Sequence, residues 1–430
     1  MRTLMTSVLL LTAVVLCLPE TELEAQGLRY DREYPVMRYS TRNPTDRVTE
    51  LQRMIARGQA ELNFEPDRGY LASLLNSLNV PVSSQMLVFS GTSLQPRLIS
   101  ADKPRAIYFG DDVYVAWLQG SDLLEIAALD SNLGPVFYTL RQEESDTPDF
   151  QRQTGFCLQC HDTYSLTGGG VPRFLIGSGP TDARGRSAIH GSWILTSDQT
   201  PLSQRWGGWY VTGTHGDQLH AGNAVIDIPT PGPKRPLQQW LNRTDLVGLL
   251  DTDPYLSGHS DIVALMVVEH QISLQNLLTR VNWEARTLLD ERPEQSDREI
   301  AAITEPLVRA MLFVNEAGLT GLISGTSSFR SNFESRGPWD GEGRSLRHMD
   351  LTSRLFKYPM SFLIYSEAFD ALPGEVKNQV FHRVWEVLAG VDRSVRFDHL
   401  SVMDRSAILQ ILRDTKEDFE RWLDENRASL

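Results

Sequence analysis

Residues 106–140 read AIYFGDDVYVAWLQGSDLLEIAALDSNLGPVFYTL, and this stretch decides the fold. Short apolar or aromatic runs are separated by turn-forming residues at 110–112, 120–121 and 132–135. Runs of this length, bounded by Gly, Asn, Asp and Pro, are typical of strands joined by tight turns. An antiparallel β unit is therefore predicted, with strands at 86–89, 106–109, 113–118, 124–128 and 136–140.

The chain beyond residue 237 changes to a helical pattern. Ser260 or Asp261 is the predicted N-cap of a helix whose apolar residues recur at helical spacing from Ile262 to Val281. Further helices are predicted at 299–316, 374–389 and 404–424, and an early helix from Asn43–Thr45 through Ile55. The fold class is therefore predicted to be α+β, with a β-rich N-terminal half and an α-helical C-terminal half.

The N-terminus is typical of a protein that is exported from the cytoplasm. Arg2 precedes an apolar run from Leu4 to Leu18, and Pro19 ends it. Residues 1–25 are therefore predicted to be a signal peptide, and the protein to be periplasmic or extracytoplasmic. The run is shorter than the roughly 20 apolar residues of a membrane span. An uncleaved N-terminal anchor is the alternative, and no other membrane-spanning segment is expected.

The net charge of the chain limits the kinds of partner that it can bind. Its 55 acidic and 41 basic residues give a formal net charge of −14. Phosphates repel such a chain, so nucleic acid is excluded as a general partner. The acidity serves solubility, or it serves docking to a basic redox partner whose identity the sequence does not give. The sequence also leaves the oligomeric state open.

The cysteines are concentrated at one place. Of the three, Cys17 lies in the signal segment, which leaves Cys157 and Cys160 in the mature chain. A disulfide between neighbours so close in sequence closes almost no loop and stabilises little. The residues read Cys157-Leu158-Gln159-Cys160-His161, which is the C-x-x-C-H attachment signature of c-type haem. Two thiols on one helical turn reach two vinyl groups of a porphyrin, and His161 supplies the proximal ligand to the iron.

Other readings of this motif have less support. A thioredoxin-like pair needs a βαβ context, whereas a polar loop and glycines flank this motif. A zinc site needs two more ligands at suitable spacing, and there is no second cysteine pair. The sequence therefore predicts one covalently attached haem c, with Cys157, Cys160 and His161 as its binding residues.

Residues 150–180 resemble a cytochrome c domain. In that family a loop containing Gly and Pro follows the motif, and a proline carbonyl accepts a hydrogen bond from the proximal histidine. The segment Gly168–Pro172 stands in a similar place here. The resemblance thus implies that this loop steadies His161. The chain is accordingly divided into a signal peptide (1–25), a β-rich region (26–149), a haem-attachment region (150–236) and a helical region (237–430).

The sixth ligand departs from the family pattern. Small cytochromes c supply a methionine within a hundred residues of the motif, but this chain has none between His161 and Met266. We rank His270, on the apolar stripe of the long helix, first among the distal candidates. His190 ranks second, and Met360 is the best methionine. A structural role for His270, bonded to Glu269, Asn276 or a backbone carbonyl, is the alternative.

Two functions follow from these predictions. The first is electron transfer by an exported monohaem c-type cytochrome. The second is a peroxidase-like haem enzyme or a gas sensor with an open distal site, whose pocket Arg173, Arg184, Arg186, His190, Trp193 and Trp209 would line. The pair His215 and His220 is a further candidate, either for a metal site or for a flexible loop.

Overall fold

A computed structural model describes residues 31–163, 170–187, 193–226, 240–293 and 297–428. The predicted signal peptide, the proline-rich stretch 229–236 and His190 lie outside the described residues. So do Gly168 and Gly169 of the predicted haem loop.

The predicted strands form one antiparallel sheet, in which each strand pairs with its neighbour in sequence. The sheet has six strands, one more than the pattern predicts. The additional strand, residues 150–152, lies just before the cysteine motif and pairs at the edge of the sheet. The strands are β1 (Met86–Val88), β2 (Arg105–Phe109), β3 (Val113–Trp117), β4 (Leu123–Asp130), β5 (Gly134–Arg141) and β6 (Phe150–Arg152).

Strand register places a row of residues across one face of this sheet, which we call the motif face. Ala127 on β4 lies between Tyr114 on β3 and Phe137 on β5. Glu125, two residues earlier, is opposite Ala116 and Thr139. Side chains two residues apart point the same way, so these residues share one face. The small side chain of Ala127 leaves room between its two aromatic neighbours.

The predicted long helix packs against the end of this face. The helix α4 (Ile262–Glu291) begins after Asp261, whose carboxylate accepts from Val263 N and caps the first turn. The Tyr114 hydroxyl donates to Gln275 Oε1 at 2.6 Å, and Gln271 Nε2 donates to Gly110 O at 2.8 Å. The helix therefore joins the sheet through buried polar contacts as well as apolar packing.

By length and composition alone, α4 is long and apolar enough to cross a membrane. No such segment is expected from the sequence beyond the N-terminal one. In the fold, however, 83% of its most apolar window is buried inside the protein. Burial on this scale is typical of the core helix of a water-soluble domain. Among the described residues α4 is the only helix of this kind.

The other helices lie close to their predicted positions. The early helix begins at Arg47 rather than at 43–45, because Asp46 accepts from Val48 N and Thr49 N and sets the N-cap there. The predicted helix at 404–424 is two helices, since Lys416 leaves helical geometry between them. Within the described residues the α-helices are α1 (Arg47–Ala56), α2 (Leu71–Ser77), α3 (Leu158–His161), α4 (Ile262–Glu291), α5 (Asp297–Met311), α6 (Phe329–Glu334), α7 (Glu367–Asp370), α8 (Gly374–Leu388), α9 (Val402–Thr415) and α10 (Glu417–Asn426).

Two further strands, β7 (Gly177–Ser178) and β8 (Ile194–Leu195), pair beside the motif. Residues 209–212 are extended backbone held by single bridges from Trp209 to Val88 and from Thr212 to Asp261. One continuous hydrophobic core includes the sheet, the motif helix and the C-terminal helices. The α+β class is thus confirmed, and its two halves share a core.

Candidate functional site

The cysteine motif forms one short helix on the motif face of the sheet. Cys157 is the N-cap of α3, and its carbonyl accepts from Cys160 N at 3.2 Å and His161 N at 3.0 Å. Both cysteines are free thiols; Cys160 is exposed and Cys157 is partly buried against the core. The two thiols and the imidazole therefore project from a single turn, as the sequence predicts.

The chemistry of Cys157 argues against a redox-active dithiol. Burial, together with the nearby charge of Glu125, raises the pKa of its thiol to about 12. Dithiol oxidoreductases need the opposite shift, toward a thiolate at neutral pH. A protonated, partly buried thiol next to an exposed one instead suits attachment of a group at the protein surface.

Residue 173 fixes His161 at two points. The His161 Nδ1–H donates to Arg173 O at 2.7 Å, and Arg173 N donates to His161 O at 2.9 Å. The acceptor is thus the carbonyl directly after Pro172, not that of Pro172 itself. The resemblance places the acceptor one residue too early, because the backbone turns past Pro172 before it meets the ring. Residues 170–172 still lead the chain into this contact.

The outer nitrogen of His161 remains available to a metal. In the part of the chain that the structure describes, Nε2 of His161 makes no hydrogen bond. Burial lowers the pKa of the imidazole to about 4, and the charge of Arg105 adds to the effect. The ring is therefore neutral at physiological pH, which is the form that binds iron, and its Nδ1–H bond orients Nε2.

Aromatic side chains and one amide hold this arrangement in place. The ring centroid of Phe137 lies 4.4 Å from that of His161. Phe174 packs on Phe137 and on Tyr114, above the small side chain of Ala127. The Asn276 amide of α4 accepts from Phe174 N and donates to Phe174 O, both at 2.9 Å. A continuous set of contacts thus runs from the long helix to the proximal histidine.

Sequence reasoning missed the part that Asn276 plays. From the sequence, Asn276 is expected only as a possible partner of His270, and not as a contact of the segment that meets His161. The signal was present, since an asparagine on the apolar side of a helix must find a polar partner. The identity of that partner, a backbone 102 positions earlier, is not contained in the local pattern.

The candidate His270 is buried and fully engaged. Its Nδ1 lies 2.9 Å from Asp198 Oδ2, and its Nε2 lies 2.8 Å from Ser361 Oγ. The ring stacks on Phe313 with centroids 4.2 Å apart. Neither nitrogen can bind iron unless one of these bonds breaks, which argues against His270 as the sixth ligand. Its observed partners also differ from the three that sequence reasoning considered.

The order of contacts Asp198, His270, Ser361 is that of a hydrolytic triad, but access is missing. A nucleophile must meet its substrate, whereas the Ser361 side chain is fully buried. Its Oγ also accepts from Leu363 N and caps a short 3₁₀ helix. This polar chain therefore ties α4 to the C-terminal region and does not form an active site.

Met360 and His190 remain predicted candidates for the sixth ligand. Met360 is fully buried beside the end of α5, where Met311 O accepts from Ser361 N at 2.8 Å. His190 belongs to the residues that the structure does not describe. Of the other predicted pocket residues, Trp209 donates to Gly177 O at 2.8 Å, and Arg186 pairs with Asp182 at 2.6 Å.

The pair His215 and His220 is buried, with 0% and 2% of each residue exposed, so it is not a flexible loop. Their ring centroids lie 4.8 Å apart. His215 Nε2 accepts from Asn242 N, and His220 Nδ1 accepts from Gly222 N. Within the described ranges no group of three or more His, Cys, Asp or Glu side chains that could hold a metal ion occurs.

No protein family, no curated protein and no solved structure matches the chain.

Proposed function

We propose that this protein is a monohaem c-type cytochrome that transfers electrons. The observation that carries the proposal is the two-point contact between residue 173 and His161, the histidine of the C-x-x-C-H motif. A neutral imidazole with its Nδ1–H bonded to a carbonyl, and two unbridged thiols on the same turn, have the donor chemistry that haem c requires. When bound, the haem would supply an iron that takes up and releases one electron.

The chain's own residues would do the rest. Cys157 and Cys160 would hold the group covalently, and His161 would bind its iron through Nε2. Arg173 O keeps the imidazole oriented and increases its basicity. Phe137 and Phe174 exclude water from the proximal side.

The exposure of residues on the outer side of the motif favours electron transfer as the function. Phe156 is 69% exposed, and Cys160 is also exposed. A group attached here would have one edge within reach of a redox partner. An exposed aromatic beside that edge suits a transient contact.

The test is mass spectrometry and optical spectroscopy of the protein expressed with a haem-attachment system in an exporting host. We expect one haem per chain that survives denaturation, and none in the double variant Cys157→Ala/Cys160→Ala. The variant Gln159→Ala, which changes the exposed position between the cysteines, should keep its haem. Covalent haem in the double variant, or none in the wild type, would refute the proposal.

A haem catalyst or gas sensor with an open sixth position is the second candidate. The engagement of both His270 nitrogens favours it, because the first-ranked internal ligand is then committed elsewhere. Carbon monoxide separates the two functions. Rapid binding to the reduced protein would favour the open site, and no binding would favour electron transfer.

A further inference from the structure

A cavity of about 450 Å³ lies behind the segment that holds His161. Its walls are the segments 173–176 and 195–199, the middle of α4 and the end of α5. Cys157, Cys160 and His161 do not line it. The volume is within the range of pockets that take small molecules.

Three arginines line this cavity in a chain with a net charge of −14. They are Arg173, Arg280 and Arg309. Arg280 pairs with Glu284 at 2.5 Å. Among the described residues, Arg173 and Arg309 have no ion-pair partner, and the Nε atom of each is buried without a hydrogen bond.

The acid in the cavity wall does not balance these charges. The Asp198 carboxylate also lines the cavity, but its Oδ2 is already bonded to His270. The remaining polar groups that line the cavity include the neutral side chains of Gln199, Ser273 and Asn315. Partly buried guanidinium groups without an ion-pair partner are costly, and a ligand carrying negative oxygens would remove that cost.

We propose that this cavity, which we call the arginine pocket, binds a small oxyanion such as a dicarboxylate or a phosphate. The planar fork of a guanidinium matches carboxylate and phosphate oxygens, and buried pairs of this kind are strong. The oxyanion is either a free molecule or the carboxylates of the haem itself. The pocket does not depend on the proposed function, because its residues form the pocket without the motif.

Isothermal titration of the protein as purified, with succinate and with inorganic phosphate at constant ionic strength, tests the proposal. At least one probe should bind at a ratio of one to one. Arg309→Gln should weaken the affinity at least about tenfold, equal to 1.4 kcal/mol. Arg421→Gln, which changes an exposed arginine on α10, should leave the affinity unchanged. Arg173→Gln serves as a second variant should Arg309→Gln fold poorly.

The same titration on the haem-free variant Cys157→Ala/Cys160→Ala distinguishes the sources. Binding to the wild type supports a free oxyanion. Binding to the haem-free variant alone supports occupation by the haem carboxylates. No binding to either form, or equal loss in Arg309→Gln and Arg421→Gln, would overturn the pocket. If the wild type carries no haem, the proposed cytochrome function is refuted. Titration of that haem-free wild type would still show whether the arginine pocket binds an oxyanion.

Discussion

Two buried histidines of this protein have different roles because their hydrogen-bond partners differ. His161 and His270 are both partly or fully buried imidazoles, yet their surroundings separate their roles. In the described part of the chain, His161 has one nitrogen bonded to a backbone carbonyl and no hydrogen bond on the other. His270 has an acidic partner on one nitrogen and a hydroxyl on the other. The first arrangement suits a metal ligand, and the second suits a structural link.

Replacement of His270 by alanine tests this distinction. The change would leave the buried groups of Asp198 and Ser361 without partners and open a cavity beside Phe313. We expect the free energy of unfolding to fall by about 2–4 kcal/mol. The haem absorption spectrum should stay that of the wild type. Asn378→Ala, at an exposed position of α8, should change stability by less than about 0.5 kcal/mol.

A spectrum of His270→Ala with a changed spin state would contradict this view. In that case His270 would be the sixth ligand, and its bond to Ser361 would have to open in the haem-loaded protein.

Glu316 gives a prediction for pH. Burial, together with the charge of Asp198, raises the pKa of its carboxyl from 4.5 to about 7. The folded state therefore holds a proton that the unfolded state releases. Stability from this group is present below pH 4.5 and is lost as pH rises through about 7.

The variant Glu316→Gln lacks this titration and can still accept the hydrogen bond from Leu355 N. Relative to the wild type, it should gain about 2 kcal/mol of stability between pH 4.5 and pH 8, allowing for partial exposure. Urea denaturation at both pH values measures this gain. A difference between the two proteins that is independent of pH would show that the carboxyl titrates normally.

At the scale of elements, the long helix α4 organises the site from a distance. Gln271 and Gln275 join it to the sheet, and Asn276 holds the backbone of Phe174. The segment that meets His161 is therefore fixed by a helix that begins a hundred residues later in the chain. Side chains within five residues of one another on this helix therefore contact both the sheet and the segment that meets the motif.

Removal of this link should loosen the motif before the rest of the fold. Asn276→Ala leaves the N–H and C=O of Phe174 without their partner, which costs about 2–3 kcal/mol. In guanidinium titrations the haem absorption should change at a lower concentration than the tryptophan fluorescence. Asp290→Ala, at an exposed site on the same helix, should keep the two curves together. Coincident curves in Asn276→Ala would show that α4 does not position His161.

At the scale of the whole molecule, the β-rich and helical parts share a single core. Tyr114 of the sheet bonds to α4, and residue 134, at the start of β5, lies against Thr279 of that helix. Regions 26–149, 150–236 and 237–430 differ in pattern, but their packing makes them interdependent. A core of this kind favours cooperative unfolding.

Unfolding by urea should therefore follow one transition. Far-ultraviolet circular dichroism reports the helices, tryptophan fluorescence reports the core, and haem absorption reports the motif. The three midpoints should coincide in the wild type, because loss of α4 exposes one face of the sheet. A helical transition separate from that of the sheet would contradict the shared core.

The sequence by itself determined the features that depend on neighbours in the chain. The short apolar runs between turn-forming residues predicted the sheet, the apolar spacing after Ser260 or Asp261 predicted α4, and C-x-x-C-H marked the motif. Strand, helix and motif signals are local, so one stretch of residues contains each of them.

Only the tertiary structure decided which distant groups meet. The bond from His161 to Arg173 rather than Pro172 depends on the path of a loop. The partners of His270 lie 72 and 91 positions away, and the phenylalanine held by Asn276 lies 102 positions away. The arginine pocket likewise gathers residues from four separate segments. Such pairings follow from packing, which no local pattern contains.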